Sequence, residues 1–129
     1  MLAVTCLALA IYYEARDQPI DGQTEVGMVV MNRVADDKFP NDVCSVVYDP
    51  NQFSFTNDGK PEKPKHHSWK AIKVLAKDIL NHPNKYDDGN NVLYYHATYV
   101  EPSWVGGYQL VGKIEDHIFY TRKEGSNDR

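Results

Sequence analysis

A chain of 129 residues, 42% of them apolar and 25% charged, can bury roughly two thirds of its unfolded surface, which is enough for one core without staples. Its net charge is −4 and its 14 Lys and Arg are scattered, so no basic stripe exists to neutralise a phosphate backbone, and nucleic acid is not an expected partner. Nine Tyr against four Phe and two Trp favour rings that carry a hydroxyl, which suit a wet groove.

The first twelve residues, MLAVTCLALAIY, imitate the apolar part of a signal peptide. They have no basic stretch before them and no small-residue cleavage site after them, and they run straight into Glu14, Arg16 and Asp17. The run is also too short to span a bilayer. Read as it stands, the chain is expected to carry no export signal, so that a substrate outside the cytoplasm would be reached by lysis, by injection or through a leader absent from the sequence.

Residues 3–15 are expected to form a buried helix. On a helical wheel Ala3, Leu7, Ala10, Ile11 and Glu14 fall within about 60° of one line, which places a carboxylate on the apolar face. A turn over 17–22, broken by Pro19, leads to a second helix capped by Asp21 and carrying Val26, Val29, Val30 and Val34 at core spacing. Phe39-Pro40 ends that unit, and Asn41 can cap a short third helix through Val43, Val46 and Val47. Residues 49–67 form a long loop with a turn at Asn57-Asp58-Gly59 and a short strand at QFSF. Ser68 opens a further helix, in which Trp69, Ile72, Leu75, Ala76, Ile79 and Leu80 keep helical spacing until His82-Pro83. The segments 92–100 and 108–122 are rich in β-branched and aromatic residues, which predicts a small antiparallel sheet or hairpin. The fold class is α+β, mostly helical, with the sheet in the C-terminal third, and residues 1–129 form a single domain. Cys6 and Cys44 are either free core thiols or one disulfide. If bridged, their loop of about 39 residues is worth on the order of 4 kcal/mol.

Glu14 is the residue whose placement most needs a reason. A carboxylate on an apolar face either meets a cationic or donor partner or stays protonated near neutral pH. A protonated Glu at a cleft wall is what a general acid for glycosidic cleavage requires. A structural ion pair, or a helix-end acid turned to solvent, would satisfy the same periodicity. The aromatic residues divide in the same way, between a saccharide groove and the core. The five His lack HExxH spacing and no CxxC pair occurs, so no metal and no cofactor are expected. GxSxG, P-loop and GxGxxG motifs are absent as well.

Six blocks, in order, carry a family resemblance: CLALAIYYEAR (6–16), VVMNRV (29–34), FPNDVCSVVYD (39–49), QFSF (52–55), LYYHATYVEPSW (93–104) and HIFY (117–120). The chain resembles the SleB-type cell wall hydrolases, the family that includes bacterial spore cortex-lytic enzymes. The resemblance implies a lysozyme-like catalytic domain that cleaves peptidoglycan glycan strands as a lytic transglycosylase or muramidase-like enzyme. It also implies that Glu14, the Glu of IYxEAR, is the catalytic acid. Gln52, Phe53, Ser54, Tyr95, His96, Trp104 and His117 are the expected groove contacts: Gln52 and Ser54 bonding hydroxyl or acetamido groups, Tyr95 and Trp104 offering ring faces, His96 orienting Glu14 or substrate. Each has a local structural role as its alternative. Glu25 and Asp58 are candidates for a second acid.

The chain departs from the family pattern in three places. Asp17 and Gln18 stand where the family has Gly and an acid, Phe55 where it favours Trp, and Glu115 where it favours Gly. The expected partner is peptidoglycan, with no membrane span and a monomeric chain. The expected setting is the cell wall, reached as a phage-encoded lysin, a virion-associated enzyme or an excised domain of an exported protein. Two rival functions are a zinc-dependent amidase, which cuts between muramic acid and the peptide stem, and a non-catalytic glycan-binding module. A structural assembly protein is a third.

Overall fold

The structure is a computed structural model that describes residues 1–50, 52–56 and 64–123, with Ser54 described through its backbone only. The expected α+β class is correct: helices fill the first two thirds and a three-stranded antiparallel sheet closes the last third.

Helix α1 (Ala3–Ala15) is the axis of the molecule. Every residue from Cys6 to Tyr12 is buried, because α2 (Ile20–Val34), α3 (Val43–Val47) and α4 (Trp69–Asn81) surround it. An apolar helix without a polar face is stable only in such a position. A turn closed by Gln18 N–H donating to Ala15 O at 2.9 Å leads into α2. Pro19, not Asp21, is the residue that precedes α2, and its fixed φ of −62° starts the helix. Asp21 lies in the first turn, where the helix dipole favours an acid, and its Oδ1 accepts from Gly22 N–H at 2.9 Å.

Helix α3 is capped by Asp42, whose Oδ2 accepts from Ser45 N–H at 3.2 Å, one residue after the expected Asn41. The QFSF segment is not a strand. It closes into a 3₁₀ turn over Ser54–Thr56 with Thr56 N–H on Phe53 O at 3.1 Å, which turns Phe53 and Phe55 inward. Helix α4 lays Ile72, Ala76 and Ile79 on α1. Pro83, expected only to stop α4, also serves as the first residue of a short α5 (Pro83–Tyr86), where its missing N–H costs nothing.

The sheet order is β1-β3-β2, from β1 (Tyr94–Ala97), β2 (Tyr108–Ile114) and β3 (His117–Arg122). The 108–122 run is therefore a hairpin in itself. Ile114 pairs with His117 across a two-residue loop, Glu115-Asp116, and Glu115 adopts a positive φ of 46°. A second 3₁₀ turn, Ser103–Gly107, delivers Trp104 to the sheet face.

Side chains strap the sheet to the helices. Arg33 Nε donates to Leu93 O at 2.8 Å and Asn32 Nδ2 to Val92 O at 2.9 Å, so the end of α2 grips the entry to β1. Gln18 holds the β2–β3 loop at both ends of its amide: Oε1 accepts from Asp116 N–H at 3.1 Å and Nε2 donates to Asp116 Oδ2 at 3.0 Å. Arg122 Nη2 donates to Asp36 Oδ1 at 3.0 Å in a two-pronged pair beyond the end of α2. Cys6 and Cys44 are bridged, with Cα atoms 5.2 Å apart, which joins α1 to α3 and resolves the open question between free thiols and a disulfide. Among the described residues, no helix is long and apolar enough to cross a membrane.

Candidate active site

The last turn of α1 points Glu14 toward β1, and the straps on the sheet keep β1 there. A cavity of about 320 Å³ lies between them, walled by Tyr13, Glu14, Arg33, Gln52, Tyr95 and His96, with Ala97, Tyr99 and His117 completing it. It opens on one side into a space of about 400 Å³ lined by Tyr94, Trp104 and Tyr108, with Arg33, Gln52 and Tyr95 shared between the two. On the other side lies a polar space of about 260 Å³ that adds Arg16, Asp17, Gln18 and Asp116 and shares Glu14 and His117. Together they form a trough with an aromatic end, an acid in the middle and a polar end. That shape suits a chain of sugar rings, which have apolar faces and polar edges.

Burial pushes the Glu14 carboxyl above the usual carboxylate range, while a hydrogen bond from the Tyr95 hydroxyl to Oε1 pulls it partly back. Because Oε1 accepts that bond, the proton of the neutral acid sits on Oε2. No described Lys or Arg forms an ion pair with Glu14, so desolvation decides its state. Glu14 thus lines the cavity wall, in neither a sealed ion pair nor a solvent-turned position.

The expected contacts divide. Gln52, Tyr95, His96, Trp104 and His117 all line the trough. Tyr95 does so with its hydroxyl on Glu14 and its ring against Phe119 and His117, at 5.7 and 5.0 Å between centroids. His96 does not hold Glu14. Its Nδ1–H donates to Ala97 O at 2.8 Å, so Nε2 is left to accept from the Tyr120 hydroxyl at 2.9 Å. Burial lowers the affinity of His117 for a proton, which leaves it neutral at neutral pH. Trp104, 37% exposed, packs among His96, Tyr94, Tyr108 and Tyr120.

Phe53 is a correction: it is 1% exposed in the core and offers no surface to a ligand. Phe55 is likewise buried, stacked on Tyr13 at 4.9 Å, and cannot stack on a sugar. The side chain of Ser54 and the whole of Asp58 lie outside the described residues. Glu25 sits on α2 within hydrogen-bonding reach of Asp88 and lines none of these spaces.

Arg33, Asp17 and Asp116 also line the trough, beyond the residues expected from the sequence. Arg33 is 5% exposed, stacked against Phe39, Tyr94 and Phe53 at 4.8, 5.5 and 5.9 Å, and its Nη1 donates to Gln52 Oε1 at 2.9 Å. It follows Val26 and Val29 at helical spacing, the same sign of a charge on an apolar face that picked out Glu14. Among the described residues no group of three or more His, Cys, Asp or Glu side chains is arranged to hold a metal ion.

The family model described as Cell Wall Hydrolase matches residues 17–120. The chain belongs to the cell wall hydrolase family. Its relatives in that family include the spore cortex-lytic enzymes of Bacillus subtilis (strain 168) and Bacillus cereus, 30% and 32% identical over 117 residues. These alignments take in 90% of this chain but only 36% and 43% of the two relatives, so the chain spans less than half of either. The solved catalytic domain of the germination-specific lytic transglycosylase SleB from Bacillus anthracis superposes with a TM-score of 0.74 at 30% identity, covering 92% of this chain and 93% of that one. The Bacillus cereus SleB catalytic domain gives 0.73 at 30% identity, covering 92% and 89%. The cell wall hydrolase match opens three residues after Glu14, while Arg33, Gln52, Tyr95, His96, Trp104 and His117 fall inside it.

Proposed function

We propose that this chain is a single catalytic domain that cleaves the glycan strands of peptidoglycan between N-acetylmuramic acid and N-acetylglucosamine, with Glu14 as general acid and then base. The observation that carries the reading is a desolvated carboxyl, raised in pKa and fixed by Tyr95, at the centre of a trough with aromatic walls. The enzyme class, a peptidoglycan-degrading enzyme, is supported by family membership and by the SleB-like fold.

Glu14 gives its Oε2 proton to the glycosidic oxygen as the bond to C1 of the muramyl unit breaks, leaving an oxocarbenium-like centre. The C6 hydroxyl of the same sugar attacks C1, and the Glu14 carboxylate takes back that hydroxyl's proton. The product is a 1,6-anhydro muramyl end, no water is consumed, and a single acid serves both halves. Hydrolysis with retention or inversion needs a second carboxylate, within roughly 5.5 Å or roughly 6.5 to 9.5 Å respectively. Among the described residues that line the trough, only Asp17 and Asp116 could fill that role, and both carboxylates meet the Gln18 amide, at 3.4 and 3.0 Å. This favours the transglycosylase reading over the muramidase one.

Mass spectrometry of digested peptidoglycan tests it. Muramyl ends lighter by one water are expected, and Glu14→Gln should lower turnover by about 10²- to 10⁴-fold. Ordinary reducing ends would instead mark a muramidase. Cleavage of the muramyl–peptide amide that stops in EDTA would mark an amidase, and binding without cleavage a recognition module.

A further inference from the structure

We propose that Arg33 is a specificity-determining residue that receives the lactyl acyl oxygen on C3 of muramic acid, in the sugar beside the bond that is cut. The proposal rests on the glycan-strand reading above and adds to it how the trough tells the two alternating sugars apart.

Arg33 lines both the central cavity that holds Glu14 and the aromatic space next to it. Its described partners are all neutral: Leu93 O, Gln52 Oε1 and the faces of Phe39, Tyr94 and Phe53. Asp49 acts on it only through space, without a hydrogen bond. A guanidinium this deeply buried is stabilised further by an anionic oxygen, and among the described residues no carboxylate bonds to it. Glu14 does not play that part, since neither a hydrogen bond nor an ion pair joins it to Arg33. The two bonded nitrogens fix the plane of the fork, and the remaining N–H groups serve an oxygen arriving through the cavity.

The substrate offers one group that fits. Hydroxyls and acetamido groups occur on both sugars of the strand, so contacts with them cannot distinguish one from the other. Only muramic acid carries the lactyl ether, whose acyl carbon bears a carboxylate, or a carbonyl where a peptide stem is attached. An Arg one cavity wall from the catalytic acid, reading that oxygen, sets which of the two glycosidic bonds lies over Glu14.

The test is calorimetric binding of three tetrasaccharides to the Glu14→Gln chain, which binds without turning over. The first is an alternating glucosaminyl–muramyl tetrasaccharide with free lactyl carboxylates, the second is the same saccharide with those carboxyls reduced to alcohols, and the third is chitotetraose. Reduction is expected to weaken binding about ten- to hundredfold, the usual effect of losing a hydrogen bond to a charged group, down to the level of chitotetraose. Adding Arg33→Lys should weaken the first saccharide more than the other two and so erase the difference between the first and the second. Equal binding of the first two saccharides to the chain with Arg33 intact overturns the proposal, and so does equal weakening of all three by Arg33→Lys. If Arg33→Lys does not fold, the comparison of saccharides decides alone. Failure of the glycan-cleavage reading shows separately, as an unmodified chain that leaves peptidoglycan intact.

Discussion

The hydroxyl of Tyr95 has two effects on Glu14: it fixes which oxygen carries the proton, and it opposes the upward push of burial. Removing it in Tyr95→Phe should lower kcat by about tenfold or more while shifting the alkaline limb of the pH–rate profile to higher pH, since the carboxyl then keeps its proton longer. A loss of rate with no shift of the limb would leave Tyr95 a packing role only. Glu25 offers an independent residue-scale test away from the trough. Burial, then the neighbouring Asp88, raise its pKa from 4.5 to about 7. The stability associated with its protonated form is fully present below the unfolded value and is lost as pH rises through about 7. Glu25→Gln should therefore match the parent near pH 4 and exceed it near pH 8 by about 1–2 kcal/mol, after discounting for a half-exposed site. Urea unfolding at the two pH values reads the difference. Single residues also show where the sequence was legible. Glu14 could be found because a charge on an apolar helical face demands a reason. Arg33 obeys the same rule on α2, where it follows Val26 and Val29 at helical spacing. Phe53 and Phe55 could not be placed from sequence, because aromatic content does not say which face of a turn is inward.

At the scale of elements, helices were legible to within a residue or two wherever apolar spacing and Pro punctuation agreed, as at α1, α2 and α4. Among the features that escaped are the 3₁₀ turn at Ser54–Thr56 and the division of 108–122 into β2 and β3. The second has a clear cause. A two-residue hairpin loop with a positive φ is usually announced by Gly, and here Glu115 occupies that position at φ 46°. Glycine, which the resemblance implies at this position, would adopt such a φ at no steric cost. Glu115→Gly should relieve the left-handed strain, less the extra entropy of an unfolded glycine, for a net gain of about 0.5–1 kcal/mol and a rise in Tm of about 2–4 °C. A thermal melt that fell or stayed level would mean that contacts of the Glu115 side chain offset the strain.

For the molecule as a whole, the Cys6–Cys44 bridge joins α1 to α3 across a sequence separation of 38. In the chain-entropy picture its reduction costs about 4 kcal/mol, a large share of the stability of a domain this size. Chemical unfolding with and without a thiol reductant should show that loss. Glu14, the proposed proton donor, rides on α1, the innermost rod of the fold, rather than on a surface loop that can fray alone. Function and architecture therefore have a common point of failure. On slow heating, the catalytic signal and the fluorescence of the core should vanish along one curve, because the acid cannot leave its station until everything wrapped around it has come apart.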